Sequence, residues 1–221
     1  MTQEVLRHSS GEGFTGFLSK AGKRSDFRLS FGETKDQGEF GDEVFTIDFQ
    51  GAITSQTSSA FIEALQHAAE HDPEKEIQIK INSRGGELQS CLNIAKEMAH
   101  TPNPISTFGE SQVMSGATLI LAAGDMDKRF IWEDTEIMVH QSQITIEKWR
   151  GSTPQLIRQT KEFMRKNREF LRELAEQTGQ PIQTILALTK EDRYLPPREA
   201  VNLGFADHII SRVRRDSRAR K

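Results

Sequence analysis

Three times between Val44 and Ala123, a stretch that alternates apolar and polar side chains gives way to one whose apolar residues recur at helical spacing. Val44-Phe45-Thr46-Ile47-Asp48-Phe49 has the two-residue period of a strand, and residues 58–70 have the period of a helix. Asp72-Pro73 stops that helix. Glu76-Ile77-Gln78-Ile79-Lys80-Ile81 then alternates again, and Asn82-Ser83-Arg84-Gly85-Gly86 turns the chain into a second helix over 88–98. The third unit runs from Ile105 through a loop to a helix of small residues at 116–123, and further strands follow at 128–132 and 136–140. Parallel neighbours need a crossover between them, so strands and helices in series imply an α/β fold: a mostly parallel sheet covered by helices.

The pattern divides the chain into three parts. Residues 1–43 are rich in Gly, Ser and charge and read as an N-terminal arm whose order the pattern does not fix. Residues 44–211 read as one domain. Residues 212–221 form a tail with six basic side chains, the usual composition of a solvated end. Within the domain, 155–178 is a long charged helix with Leu156, Phe163, Phe170, Leu171 and Leu174 on one face and Gly179 at its end. It is too long for a simple crossover, and its apolar stripe needs a partner surface, so self-association is expected.

Composition removes several function classes. Lys plus Arg number 29 against 32 for Asp plus Glu, a formal charge of −3, so no overall positive field attracts nucleic acid or an anionic membrane. Cys91 is the one cysteine, which excludes an intrachain disulfide and leaves no thiol pair for a metal. The most apolar stretch, 117–123, is far shorter than the roughly 20 residues of a membrane span. The first forty residues mix six basic with six acidic side chains, unlike a secretory or transit segment. A cytoplasmic protein with no membrane span is the expectation.

Three motifs carry chemistry on their face. His67-Ala68-Ala69-Glu70-His71 has the spacing of an inverted zincin site, but it falls on the polar face of the last turn before Asp72-Pro73, where such residues are an ordinary solvated helix end; no metal is expected. Gly85-Gly86 follows a strand and opens a helix, a turn that aims amide N–H groups outward and suits an oxyanion; no Gly-Lys-Ser/Thr or GxGxxG accompanies it. Ser115 opens the small-residue helix, where by itself it reads as an N-cap. His140 changes that reading, because it ends a strand at the edge where parallel sheets bind ligands. A nucleophilic serine needs such a base, and the base needs an anion to fix its tautomer, which Asp192 can supply from a polar loop.

These segments resemble the proteolytic subunit of the ATP-dependent Clp protease, the ClpP family, on the crotonase-like fold. Ile81-Asn82-Ser83-Arg84-Gly85-Gly86 is similar to the family's Ile-Asn-Ser-Pro-Gly-Gly, Leu121-Ala122-Ala123-Gly124 to its Leu-Ala-Ala-Gly, and Met138-Val139-His140-Gln141 to its Met-Ile-His-Gln. Thr178-Gly179-Gln180, Asp192-Arg193-Tyr194-Leu195 and Glu199-Ala200-Val201 with Gly204 and Asp207 follow in family order, so the resemblance covers 44–210. It implies a serine endopeptidase acting on unfolded polypeptide without a cofactor. Ser115 falls on the nucleophile, His140 on the general base, Asp192 on the orienting carboxylate, and the backbone amides of Gly86 and Gly116 on the oxyanion hole. Asp207 falls on a closing motif. The resemblance further implies a homo-oligomer of stacked rings, a tetradecamer, and an AAA+ unfoldase as partner.

Three departures stand near the site: Arg84 where the family has proline, Ser111 where it has glycine, and Gly116 where it usually has methionine. Trp149, Arg150 and the Gly151-Ser152 turn also differ from the family's glycine-rich strand. The departures leave open a weakly active or inactive structural subunit of a mixed ring. Two more readings stay open beside it: a self-processing or membrane-peptide peptidase, and an acyl-CoA enzyme on the same fold.

Overall fold

The computed structural model describes residues 16–19, 28–35, 43–143 and 151–211. Most of the arm, the loop residues Trp149 and Arg150, and the basic tail lie outside them. Five parallel strands make the body of the sheet in the spatial order β3 (Glu43–Gln50), β4 (Ile77–Ser83), β5 (Ile105–Met114), β6 (Arg129–Trp132), β9 (His208–Ile210). Residues in register carry the same pattern across it: Phe45, Ile77 and Ile105 form one row, and Ile47, Ile79 and Thr107 the next. All six are buried against the helices.

The helices follow from the periodicity. α1 (Ser55–His71) starts where Thr54 and Thr57 cap each other reciprocally, and it buries Phe61, Ala64, Leu65 and Ala68. α2 (Leu88–His100) buries Leu92, Ile94 and Ala95, and α3 (Ala117–Ala122) is buried along its whole length. The opposite face of the sheet is less covered: β4 alternates buried and half-buried residues, and Phe108, Phe130 and His208 stack across β5, β6 and β9 with ring centroids 4.9 and 5.2 Å apart.

The sheet also extends beyond what periodicity indicates. β1 (Gly16–Ser19) and β2 (Arg28–Lys35) add antiparallel to β3, inside the segment read as an arm, and Leu29 and Phe31 of β2 are buried in the main core. Phe31 stacks on Phe45 at 5.7 Å. At the other end β5 forks. Its first half pairs with β6 and its last residues with β7 (Glu136–Val139). Thr135 bridges the fork by donating its hydroxyl to the carbonyls of Gly109 and Glu110 at 2.9 and 2.7 Å.

α4 (Thr153–Thr178) is the long helix, ended by Gly179 in the left-handed conformation. Phe170, Leu171 and Leu174 are buried near its C-terminal end, whereas Ile157 and Met164 in its first half are 51% and 55% exposed. α5 (Ile182–Leu188), β8 (Arg193–Leu195) and α6 (Pro197–Asn202) lead to β9. Arg129 locks these pieces together from the first position of β6. Its Nη1 donates to the carbonyls of Ala122, Gln177 and Gly204, while Nε and Nη2 hold the two oxygens of Asp207 at 2.9 and 2.5 Å. Burial pushes the Asp207 carboxyl up, but the hydrogen bonds and charge of Arg129 together outweigh it and hold it below the ordinary aspartate range. Among the described residues no helix is long and apolar enough to cross a membrane.

Candidate active site

β5 ends at Met114 and α3 begins at Ala117, so Ser115 and Gly116 form the whole strand-to-helix turn. Ser115 takes φ +52°, a left-handed conformation that costs a residue with a Cβ about 1–2 kcal/mol. The turn is pinned on both sides. The Ser115 N–H donates to the Met138 carbonyl at 2.7 Å, and Thr118 donates its N–H and its hydroxyl to the Ser115 carbonyl at 3.1 and 2.6 Å. The N-cap of α3 is Gly116, so Ser115 is not the helix cap that its position in the sequence suggests; its hydroxyl is free for another partner.

That partner is His140. β7 runs parallel to the end of β5 with Met114 beside Met138, which carries the residue after β7 to the serine. His140 Nε2 lies 2.8 Å from Ser115 Oγ. β8 pairs antiparallel with β7, Val139 beside Arg193, and so brings Asp192 to the other side of the imidazole. His140 Nδ1 is buried and stands 3.4 Å from Asp192 Oδ1, an ion-pair contact but not a formed hydrogen bond. The Asp192 side chain is 65% exposed against 18% for His140. Asp207, the other acid of this region, is fully engaged by Arg129 and does not face the imidazole.

The Gly85-Gly86 turn packs directly on Ser115. Ile53 holds it from below, its N–H on the Gly85 carbonyl and its carbonyl receiving the Glu87 N–H, and Ser83 Oγ receives the Gly85 N–H at 3.0 Å. A Cβ on Gly86 would lie 2.0 Å from the Ile53 carbonyl oxygen, so only glycine fits this approach. Among the described residues no hydrogen bond uses the N–H of Gly86 or of Gly116. Two unengaged amides beside a serine hydroxyl are a ready site for an oxyanion. Arg84 lies at the rim, its Nε donating to Gln112 Oε1 at 3.3 Å.

The inverted zincin spacing resolves differently. His67 and His71 stack on each other at 6.1 Å and meet the edges of Phe31 and Phe45, and His71 Nε2 is 3.9 Å from Glu33. The described residues contain no group of acidic, His and Cys side chains placed to hold a metal ion. Sequence reasoning missed Thr118, Ser83 and Ile53, which hold the two turns; each of their contacts ends on a backbone atom of the turn, so it leaves no mark in the pattern of side chains.

A left-handed serine hydrogen-bonded to a histidine at the tips of a parallel sheet, with unengaged amides alongside, is an arrangement that suits a serine hydrolase on an α/β scaffold. The family described as Clp protease matches residues 40–213. The chain is 31% identical to an ATP-dependent Clp protease proteolytic subunit of Deinococcus radiodurans over 162 residues, 73% of this chain and 78% of that protein. It is 32% identical to ATP-dependent Clp protease proteolytic subunit 1 of Prochlorococcus marinus subsp. pastoris over 160 residues, 72% of this chain and 80% of that protein. The chain belongs to the Clp protease family.

Proposed function

We propose that this Clp-family serine endopeptidase cleaves unfolded polypeptide with Ser115 as nucleophile. His140 Nε2 takes the hydroxyl proton as Ser115 Oγ bonds to the peptide carbonyl carbon, and the carbonyl oxygen becomes an oxyanion that the Gly86 and Gly116 N–H groups receive. The imidazolium then gives that proton to the leaving amine, and water repeats the sequence on the acyl-enzyme. Asp192 orients His140 and stabilises its charged form. No metal or organic cofactor enters this reaction. The observation that supports the reading best is the 2.8 Å contact between Ser115 Oγ and His140 Nε2 at a left-handed serine. Oγ is aimed at the base before any substrate arrives.

The assembly and its partner belong to the same reading. The exposed Ile157 and Met164 on the first half of α4 favour burial against another copy, in a chamber of stacked rings that an AAA+ unfoldase feeds, in the cytoplasm. The catalytic unit is the domain over 44–211 together with β2, which shares its core. A second reading, a weakly active subunit of a mixed ring, draws on one observation: the Asp192 contact is long and exposed.

The test is labelling of the purified protein by a fluorophosphonate, read by intact mass, beside turnover of a short fluorogenic peptide. One label per chain, absent from Ser115→Ala, with kcat lowered at least about 10⁴-fold in that variant, is the expected result. A folded, assembled sample that takes no label sinks the nucleophile assignment and leaves the inactive subunit.

A further inference from the structure

The backbone of Gly116 is ordinary right-handed helix, φ −58° and ψ −22°, which any residue adopts. Conformation does not require a glycine there; space does. A Cβ on Gly116 would lie 2.3 Å from Cys91 Sγ and 3.3 Å from Cys91 Cβ, the first far inside contact distance. Cys91 is fully buried in α2, one turn after Glu87. The approach of the glycine turn is closed as well: a Cβ on Gly85 would stand 2.7 Å from the Met114 carbonyl oxygen and 2.8 Å from the Gly116 nitrogen. The glycine turn and the thiol thus both close on the Gly116 residue, and the Cβ position that meets Cys91 Sγ lies 3.9 Å from the Gly86 nitrogen.

We propose that Cys91 is a positioning residue for catalysis: its Sγ fills the volume a side chain at 116 would take and wedges the Gly116 amide into its place in the oxyanion hole. The inference rests on the assignment of that amide to the oxyanion hole. Burial, with the charge of Glu87 adding to it, pushes the thiol up to about 12, so it stays protonated and does not compete with Ser115 as a nucleophile. Its role is steric. The amide meets full negative charge in the transition state but little in the bound peptide, so a shift of the turn toward α2 lowers kcat and leaves KM almost alone.

The experiment compares wild type, Cys91→Gly, Cys91→Ser, Gly116→Ala and the double variant Cys91→Gly with Gly116→Ala. Each is measured for kcat and KM on the fluorogenic peptide, fluorophosphonate labelling rate and thermal midpoint. Cys91→Gly is expected to lose about tenfold in kcat and labelling rate with KM within about twofold, a partial misplacement of one donor. Cys91→Ser, close in volume, retains most of the turnover. Gly116→Ala alone is nearly inactive, and removing the thiol in the double variant restores at least about tenfold of that loss, because the two volumes exchange. Wild-type kcat in Cys91→Gly overturns the inference, as does a loss carried by KM, or a double variant no better than Gly116→Ala. Wild type that takes no label at Ser115 overturns the nucleophile assignment and this inference with it; wild type that labels while Cys91→Gly matches it overturns this inference alone.

Discussion

Asp192 and Asp207 come from one short stretch of chain and sit in opposite surroundings. Asp207 is held by two guanidinium nitrogens and the backbone N–H of Arg129, in a pocket sealed by the ends of α3, α4 and α6. Asp192 is largely in solvent, 3.4 Å from an imidazole nitrogen that it does not properly bond. The firm carboxylate ties the architecture together, and the loose one is the acid proposed for the chemistry. The difference has a physical reason: an acid saturated by arginine has no oxygen left for an imidazole, whereas an open one can tighten on His140 when the ring takes up charge.

The largest effect comes from the firm pair. Arg129→Ala strips the partner from a part-buried carboxylate and leaves three carbonyls without their donor, a loss of about 3–5 kcal/mol that a denaturant titration reads directly. Equal stability in variant and wild type would erase the contrast. Acid probes the same pair. The folded Asp207 carboxyl lies below its unfolded value, so the stability it contributes is complete above the ordinary aspartate pKa of about 3.9 and disappears as pH falls through the lower folded value. Thermal midpoints measured downward from pH 5 are expected to fall more steeply for wild type than for Asp207→Asn.

Asp192 should behave in reverse. Asp192→Ala is expected to keep its stability within about 0.5 kcal/mol, as exposed substitutions do. It should lower kcat by about 10²-fold, short of the roughly 10⁴ that a buried, well-bonded triad aspartate carries. A loss as large as that of His140→Ala would show that the two residues act as one unit and that the open geometry closes fully in the working enzyme. The smallest effect belongs to the neighbouring exposed pair, Arg193 with Glu199 at 2.5 Å. Glu199→Gln should change stability by less than about 1 kcal/mol, and a larger change would make the Asp192 segment firmer than its exposure indicates.

Much of this was legible in the sequence. The central strands and α1, α2 and α4 follow from period two and period 3.6, because each buries a full row of side chains: Phe45, Ile47 and Phe49 on β3 answer Ile77, Ile79 and Ile81 on β4. β2 escaped because, among its described side chains, only Leu29 and Phe31 join the hydrophobic core, and its eight-residue pairing with β3 supplies the rest through backbone bonds. β8 escaped for a like reason, three residues held by β7. Ser115 and His140 stood out as chemical types at strand tips, Asp192 as an acid in a polar loop and Gly85-Gly86 as a turn suited to an oxyanion, whereas the assignment of the Gly86 and Gly116 amides as a pair rested on resemblance. The left-handed turn that takes Ser115 off the helix cap and the contact of Cys91 with Gly116 are set by packing between residues far apart in sequence, which no local period records.

The knot at Arg129 also orders events in time. Its partners at 177, 204 and 207 lie 48, 75 and 78 residues downstream, so on a growing chain its guanidinium has no site to enter until α4, α6 and the approach to β9 have emerged. Closing such distant contacts is slow relative to forming a helix. A nascent chain of this kind therefore lacks this tie until the residues through Asp207 have emerged, and the sheet that carries Arg129 waits on the chain that follows it.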